Sequence, residues 1–99
     1  MLVEQKDILK FLSENREFFR STYNVTKIGI FGSYARNNQN DASDIDVVVD
    51  FAMPVDLFEA KNSLREIISN RFQKPVDICR LKYVNGYAKN KIEREAIYV

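Results

Sequence analysis

Two short apolar runs, Ile28–Phe31 and Ile45–Val49, bracket a Gly32-Ser33 turn and a polar loop, and the second run overlaps Asp44-Ile45-Asp46. Written as a pattern, this is G-S, ten residues, then D-x-D. Runs this short, rich in β-branched side chains and set off by a glycine turn, read as strands, which must pair and be covered. Side chains alternate along a strand, so Asp44, Asp46, Val48 and Asp50 share one face while Ile45, Val47, Val49 and Phe51 share the other. The odd-numbered face of Asp44–Phe51 is built for burial. The even-numbered face carries two neighbouring like charges, an arrangement that opposes ionisation of both until a cation relieves it.

Helical patterns alternate with these strands. From Leu2 to Tyr23, Ile8, Phe11, Leu12, Phe18 and Phe19 recur at near-helical spacing, which predicts one amphipathic helix. Asn24-Val25-Thr26 ends it and leads into a strand at Lys27–Phe31, where Gly29 and Gly32 mark close backbone approach or a sharp turn. Ser33 stands at the N-cap position of a short helix over Tyr34–Asn37, and Asn37–Ser43 is an exposed polar loop. A second long helix covers Val55–Arg71, with Leu57, Ala60, Leu64, Ile67, Ile68 and Phe72 close to a 3.6-residue period, and Pro75 stops it. Val76–Leu81 is a third strand, with Val76 and Ile78 on one face and Asp77 and Cys79 on the other. Gly86–Glu95 reads as a polar helix and Ala96–Val99 as a short terminal strand. The alternation predicts an α/β (α+β) two-layer domain over residues 1–99, large enough for a real core and too short for a second one.

Composition narrows the chemistry. The chain has no histidine, which excludes Ser-His-Asp and Cys-His catalysis and histidine-ligated zinc. Its lone Cys79 fits a reducing, cytoplasmic setting and reads as a small hydrophobe, since no histidine can activate it. No stretch of 18 apolar residues and no signal peptide is present, so the chain is expected neither to span a membrane nor to be exported by that route. A net charge of +1 argues against nucleic acid as the main partner. The charge is nonetheless segregated: Asp41–Ala60 holds six acids and no Lys or Arg, while Arg71–Arg94 holds seven basic residues against Asp77 and Glu93.

Asp77 is the only acid in an otherwise apolar strand and is costly to bury unless paired or metal-bound. Together with Asp44 and Asp46 it forms an oxygen-only donor set for hard divalent cations, and two such ions can stabilise the attacking and leaving oxygens of a displacement. The Gly32-Ser33 turn complements this set. Gly32 admits a phosphate close to the backbone, Ser33 offers a hydroxyl, and the following helix start supplies amide donors. Arg36, one turn on, either contacts a phosphate or holds the Asp44–Asp46 loop.

These residues resemble the nucleotidyltransferase superfamily that includes polymerase β and kanamycin nucleotidyltransferase, and more narrowly the minimal nucleotidyltransferases (MNT proteins) encoded beside HEPN-domain proteins. The family pattern of a G-S turn, ten residues, D-x-D and a later acid falls on Gly32, Ser33, Asp44, Asp46 and Asp77. The resemblance implies a polymerase-β-like fold, a small mixed sheet packed against helices. It implies transfer of AMP from ATP with pyrophosphate leaving, supported by two Mg2+ ions for which Mn2+ can substitute. Asp44 and Asp46 would bind both metals, Asp77 would complete the site that activates the acceptor hydroxyl, and Gly32 and Ser33 would hold the β- and γ-phosphates. The implied partner is a HEPN ribonuclease toxin, silenced by adenylylation of a tyrosine within a hetero-oligomer. Asn37 departs from the glycine that many relatives carry, but Asn tolerates a left-handed backbone. A second reading is a non-catalytic antitoxin that neutralises its partner by occlusion. Arg80, Lys82, Lys89, Lys91 and Arg94 with Tyr83 and Tyr87 would be its docking surface, a stretch that could also meet RNA. A small-molecule transferase ranks last, because the chain lacks a domain to enclose such a substrate.

Overall fold

A computed structural model describes residues 2–99. The strands are β1 (Val25–Phe31), β2 (Ile45–Phe51), β3 (Val76–Arg80) and β4 (Ile97–Tyr98). They form one mixed sheet in the order β3-β2-β1-β4. β1 runs antiparallel to both β2 and β4, whereas β2 and β3 are parallel. A parallel pair needs a crossover, and α4 (Leu57–Phe72) supplies it. Asp56 caps this helix by accepting the Glu59 N–H at 3.0 Å. Ala60, Leu64, Ile68 and Phe72, four apart, form its buried stripe.

That stripe packs on the odd-numbered face of β2, where Ile45, Val47 and Val49 join Ile28, Ile30, Val76 and Ile78 in the main core. Ile8, Leu12 and Phe19 close the same core from the N-terminal segment. This is the α+β arrangement of a small mixed sheet against helices. The single N-terminal helix expected from the pattern is instead two, α1 (Gln5–Glu14) and α2 (Arg16–Tyr23). Asn15 divides them at φ −104°, ψ 4°. Its side-chain amide donates to the Phe11 carbonyl at 2.9 Å, the same carbonyl that accepts its own N–H at 3.1 Å, so backbone and side chain of Asn15 together close the end of α1. The break also re-aims the aromatics: Phe19 is fully buried, while Phe18, counted with it in the stripe, is 48% exposed.

The even-numbered face of β2 is not uniformly polar either. Val48 is fully buried there in a second, smaller core with Leu81 and with Ile92 of α5 (Gly86–Glu95). The helix expected at Gly86–Glu95 therefore roofs half of this face through Ile92, and the rest stays open around Asp46. Immediately after α5, β4 returns to pair with β1, Gly29 opposite Tyr98. A Cβ at Gly29 would lie 2.4 Å from the Ile97 carbonyl oxygen, so glycine is what lets β4 come this close.

Candidate active site

The open part of the even-numbered face brings two of the sequence-predicted acids side by side, with the third just before the strand. Asp46 on β2 and Asp77 on β3 are register partners across the parallel pair and lie on one face. Asp44 is exposed one residue before β2 begins. The loop leading to Asp44 is held rather than loose. Lys74 Nζ donates to the carbonyls of Asp41 at 2.8 Å and Ser43 at 3.0 Å, and the Ile45 N–H donates to the Pro75 carbonyl at 3.0 Å. Nothing in the loop's own sequence signals the Lys74 bonds.

β1 delivers the turn. Phe31 sits opposite Asp46, and the next residue opens α3 (Gly32–Arg36). Gly32 has φ +72°, and a Cβ built on it would fall 2.2 Å from Asp46 Oδ2. Glycine is therefore required twice, by its backbone angle and by the carboxylate lying against its Cα. Ser33 is not the N-cap expected of it. That position is Phe31, which makes no side-chain cap. The capping acceptor comes instead from far along the chain: Glu95 Oε1 accepts the Gly32 N–H at 3.0 Å. Arg36 Nη1 donates to the two oxygens of the same carboxylate at 3.3 and 3.1 Å. Arg36 thus has a protein partner that neither sequence expectation named. At the end of α3, Asn37 adopts the left-handed conformation at φ 59°, ψ 35°, so the departure from glycine costs the turn little.

Charge at the site is strained where a cation would sit. Burial pushes the Asp46 carboxyl above its ordinary value, the charges of Asp77 and then Asp44 push it further, and Arg36 opposes them. Glu95 behaves differently. Burial would raise its carboxyl too, but the Gly32 N–H bond and the Arg36 guanidinium outweigh it and hold the group below its ordinary value. Among the described residues no three His, Cys, Asp or Glu side chains already converge as a ligand cluster. The donors near Asp46 are all oxygens, and the repulsion among them is what a hard divalent cation removes. Mg2+ needs only one or two protein carboxylates and keeps waters and substrate oxygens for the rest, so the donor set fits it.

Two open grooves flank the acids. One, of about 700 Å³, runs past Asp44 beside Ser43, Lys74 and Phe72. The other, of about 520 Å³, runs past Asp77 between Phe58, Lys61, Cys79 and Tyr83. At this second groove the basic surface expected at the C-terminal end needs correction. Arg80 is only 8% exposed, its guanidinium stacked 4.3 Å from the Tyr83 ring centroid and 5.8 Å from that of Phe51, so it is not a free surface charge. Tyr83 and Tyr87 are exposed as expected, and Phe58, which the helical pattern left unremarked, is 79% exposed in the same groove as Tyr83. No helix among the described residues is long and apolar enough to cross a membrane.

Comparison with known proteins agrees with this geometry. The family model for the nucleotidyltransferase domain matches residues 8–99. The Methanocaldococcus jannaschii protein MJ0126, which carries the provisional name of protein adenylyltransferase, is 34% identical over 94 residues, spanning 94% of this chain and 95% of its own length. Two solved structures share the fold at lower identity. A toxin–antitoxin crystal structure with AMP-PNP superposes with TM-score 0.69 at 23% identity, covering 97% of this chain and 72% of its own. A Shewanella oneidensis complex of tri-AMPylated HEPN toxin with MNT antitoxin gives 0.67 at 18% identity, covering 95% and 70%. A glycine turn pressed against a paired-aspartate strand, in a chain matched nearly end to end, means that this protein belongs to the nucleotidyltransferase domain family.

Proposed function

We propose that the protein is a metal-dependent adenylyltransferase that moves AMP from ATP to a tyrosine hydroxyl of a HEPN-type toxin partner, and so acts as its antitoxin. The observation that carries this reading is the Asp46–Asp77 register pair lying on one face beside the Gly32 turn. The matched adenylyltransferase and the fold shared with toxin–antitoxin complexes support it.

In this mechanism the acceptor hydroxyl oxygen forms a new ester bond to the α-phosphorus, and the bond to the bridging oxygen breaks with its electron pair leaving on pyrophosphate. The hydroxyl proton passes to the exposed Asp77 carboxylate and on to water. Asp44, Asp46 and Asp77 are the residues that would hold divalent cations, which when bound supply charge neutralisation for the triphosphate and the attacking oxygen. Ser33 offers its hydroxyl to the triphosphate, and Gly32, having no Cβ, lets the Asp46 carboxylate lie against the turn. The groove between Phe58 and Tyr83 ends at Asp77, and its exposed aromatic rings give a partner polypeptide an anchor next to the reacting hydroxyl.

Those same exposed rings favour the second reading, neutralisation by occlusion without transfer. Intact-mass spectrometry of the protein encoded next to this one, the candidate HEPN-type partner, separates the two readings. It is co-expressed with this chain or with an Asp44→Asn/Asp46→Asn variant. An AMP adduct with wild type and none with the variant is expected. An unmodified neighbour that co-purifies with both versions refutes transfer and leaves occlusion.

A further inference from the structure

Glu95 lies outside the G-S…D-x-D…D pattern, 63 residues from the turn it touches. Its side chain is only 16% exposed, a position where a carboxylate must be fully engaged. It is engaged: one oxygen takes the Gly32 N–H and both take Arg36. Its own place is fixed from both sides. Three residues earlier Ile92 is buried against Val48 and Leu81, and two residues later Ile97 pairs with Ile30 of β1. α3 is five residues long and makes no side-chain cap of its own, so it is too short to hold its conformation unaided. What it must hold is demanding, because Gly32 Cα lies against the Asp46 carboxylate.

We infer that Glu95 is a positioning residue: from the last turn of α5 it clamps the Gly32 amide and the Arg36 guanidinium, and so fixes the Gly32–Arg36 turn against Asp46. The inference rests on the transferase reading for its kinetic consequence, but not for its structural one. A competing possibility is that the carboxylate merely occupies a donor that the triphosphate takes over on binding. The two make opposite predictions. A clamp that is removed weakens nucleotide use, whereas a competitor that is removed improves it.

The test compares Glu95→Ala and Glu95→Gln with wild type by two readouts. Amide hydrogen exchange over Gly32–Arg36 needs no activity. It should accelerate roughly 10- to 150-fold in Glu95→Ala, the loss that goes with one hydrogen bond to a charged acceptor, with β1 and β2 unchanged. Glu95→Gln, which keeps an acceptor oxygen, should restore most of the protection. In AMP transfer, KM for ATP should rise in Glu95→Ala and recover in Glu95→Gln, a split that simple loss of folded protein does not produce. Unchanged exchange in Glu95→Ala overturns the clamp whatever the activity, as does a lower KM for ATP. Accelerated exchange in a wild-type background that transfers no AMP upholds the clamp and refutes the transferase reading alone.

Discussion

Replacing Gly32 with alanine gives a measurable separation between stability and chemistry. At φ +72° an L-residue is in the left-handed region, at a cost of about 1–2 kcal/mol. The added Cβ also falls 2.2 Å from Asp46 Oδ2 and 3.1 Å from its Cγ. The carboxylate can swing aside, since it is the end of a side chain, but it leaves its rotamer at roughly 0.5–1.5 kcal/mol. The sum is about 1.5–3.5 kcal/mol, which for a domain of this size lowers Tm by roughly 6–28 °C. Urea unfolding with an unchanged m-value measures the first effect. AMP transfer, assayed well below the variant's Tm, measures the second. Because Asp46 is the group displaced, transfer should fall at least 100-fold with the protein still folded. Gly86 is the control: a Cβ there meets nothing within 4 Å, so Gly86→Ala should retain activity and gain about 0.4–1 kcal/mol. Wild-type turnover, or a wild-type unfolding midpoint, in Gly32→Ala refutes the packing of Gly32 against Asp46.

Asp46→Asn should be more stable than wild type at neutral pH without divalent ions. A carboxyl raised in the folded state weakens the native form at pH above that raised value, and the deficit is recovered as pH falls toward its unfolded value, so the variant's advantage should shrink on acidification. Thermal unfolding with and without Mg2+ reads this directly, and a Mg2+-induced Tm rise as large in the variant as in wild type contradicts Asp46 as a ligand. At the Asp77 groove, Phe58→Asp should leave unfolding within about 0.5 kcal/mol of wild type, because that side chain is exposed, whereas Tyr83→Asp also removes the ring stacked on Arg80 and needs its folded fraction checked. Each should weaken association with the proposed HEPN-type partner about tenfold or more by titration calorimetry. Undiminished affinity in both moves the docking surface elsewhere.

Much of this molecule is readable locally. The β-branched runs at Ile28–Phe31 and Ile45–Phe51 alternate with a period of two, and register does the rest: once β2 and β3 pair in parallel, Asp46 and Asp77 have to meet. The helix at Gly86–Glu95 follows the expected bounds. What local pattern misses depends on partners distant in sequence or on side chains that bond to backbone. Asn15 looks like any polar residue on a helix surface, yet its side-chain amide and its own N–H both end on the Phe11 carbonyl. Ser33 looks like a cap because capping is normally local, but the acceptor arrives from Glu95. Val48 falls on the charged face by parity, yet Ile92 and Leu81 cover it. Arg80 counts as surface charge in a tally of basic residues, whereas Tyr83 and Phe51 enclose it.

The bond from Glu95 to Gly32 has a consequence for the order in which the protein matures. Contacts that close long loops are entropically costly and form late, after local helices and neighbouring strands have paired. β1 and β2 can zip together as soon as the residues through Phe51 are available, and β3 can add once α4 has crossed over. The turn that faces Asp46 is secured only when α5 docks and β4 returns to β1. A chain folded only through β3 therefore carries Asp44, Asp46 and Asp77 before the turn that faces Asp46 is fastened, and α5 with β4 completes the arrangement.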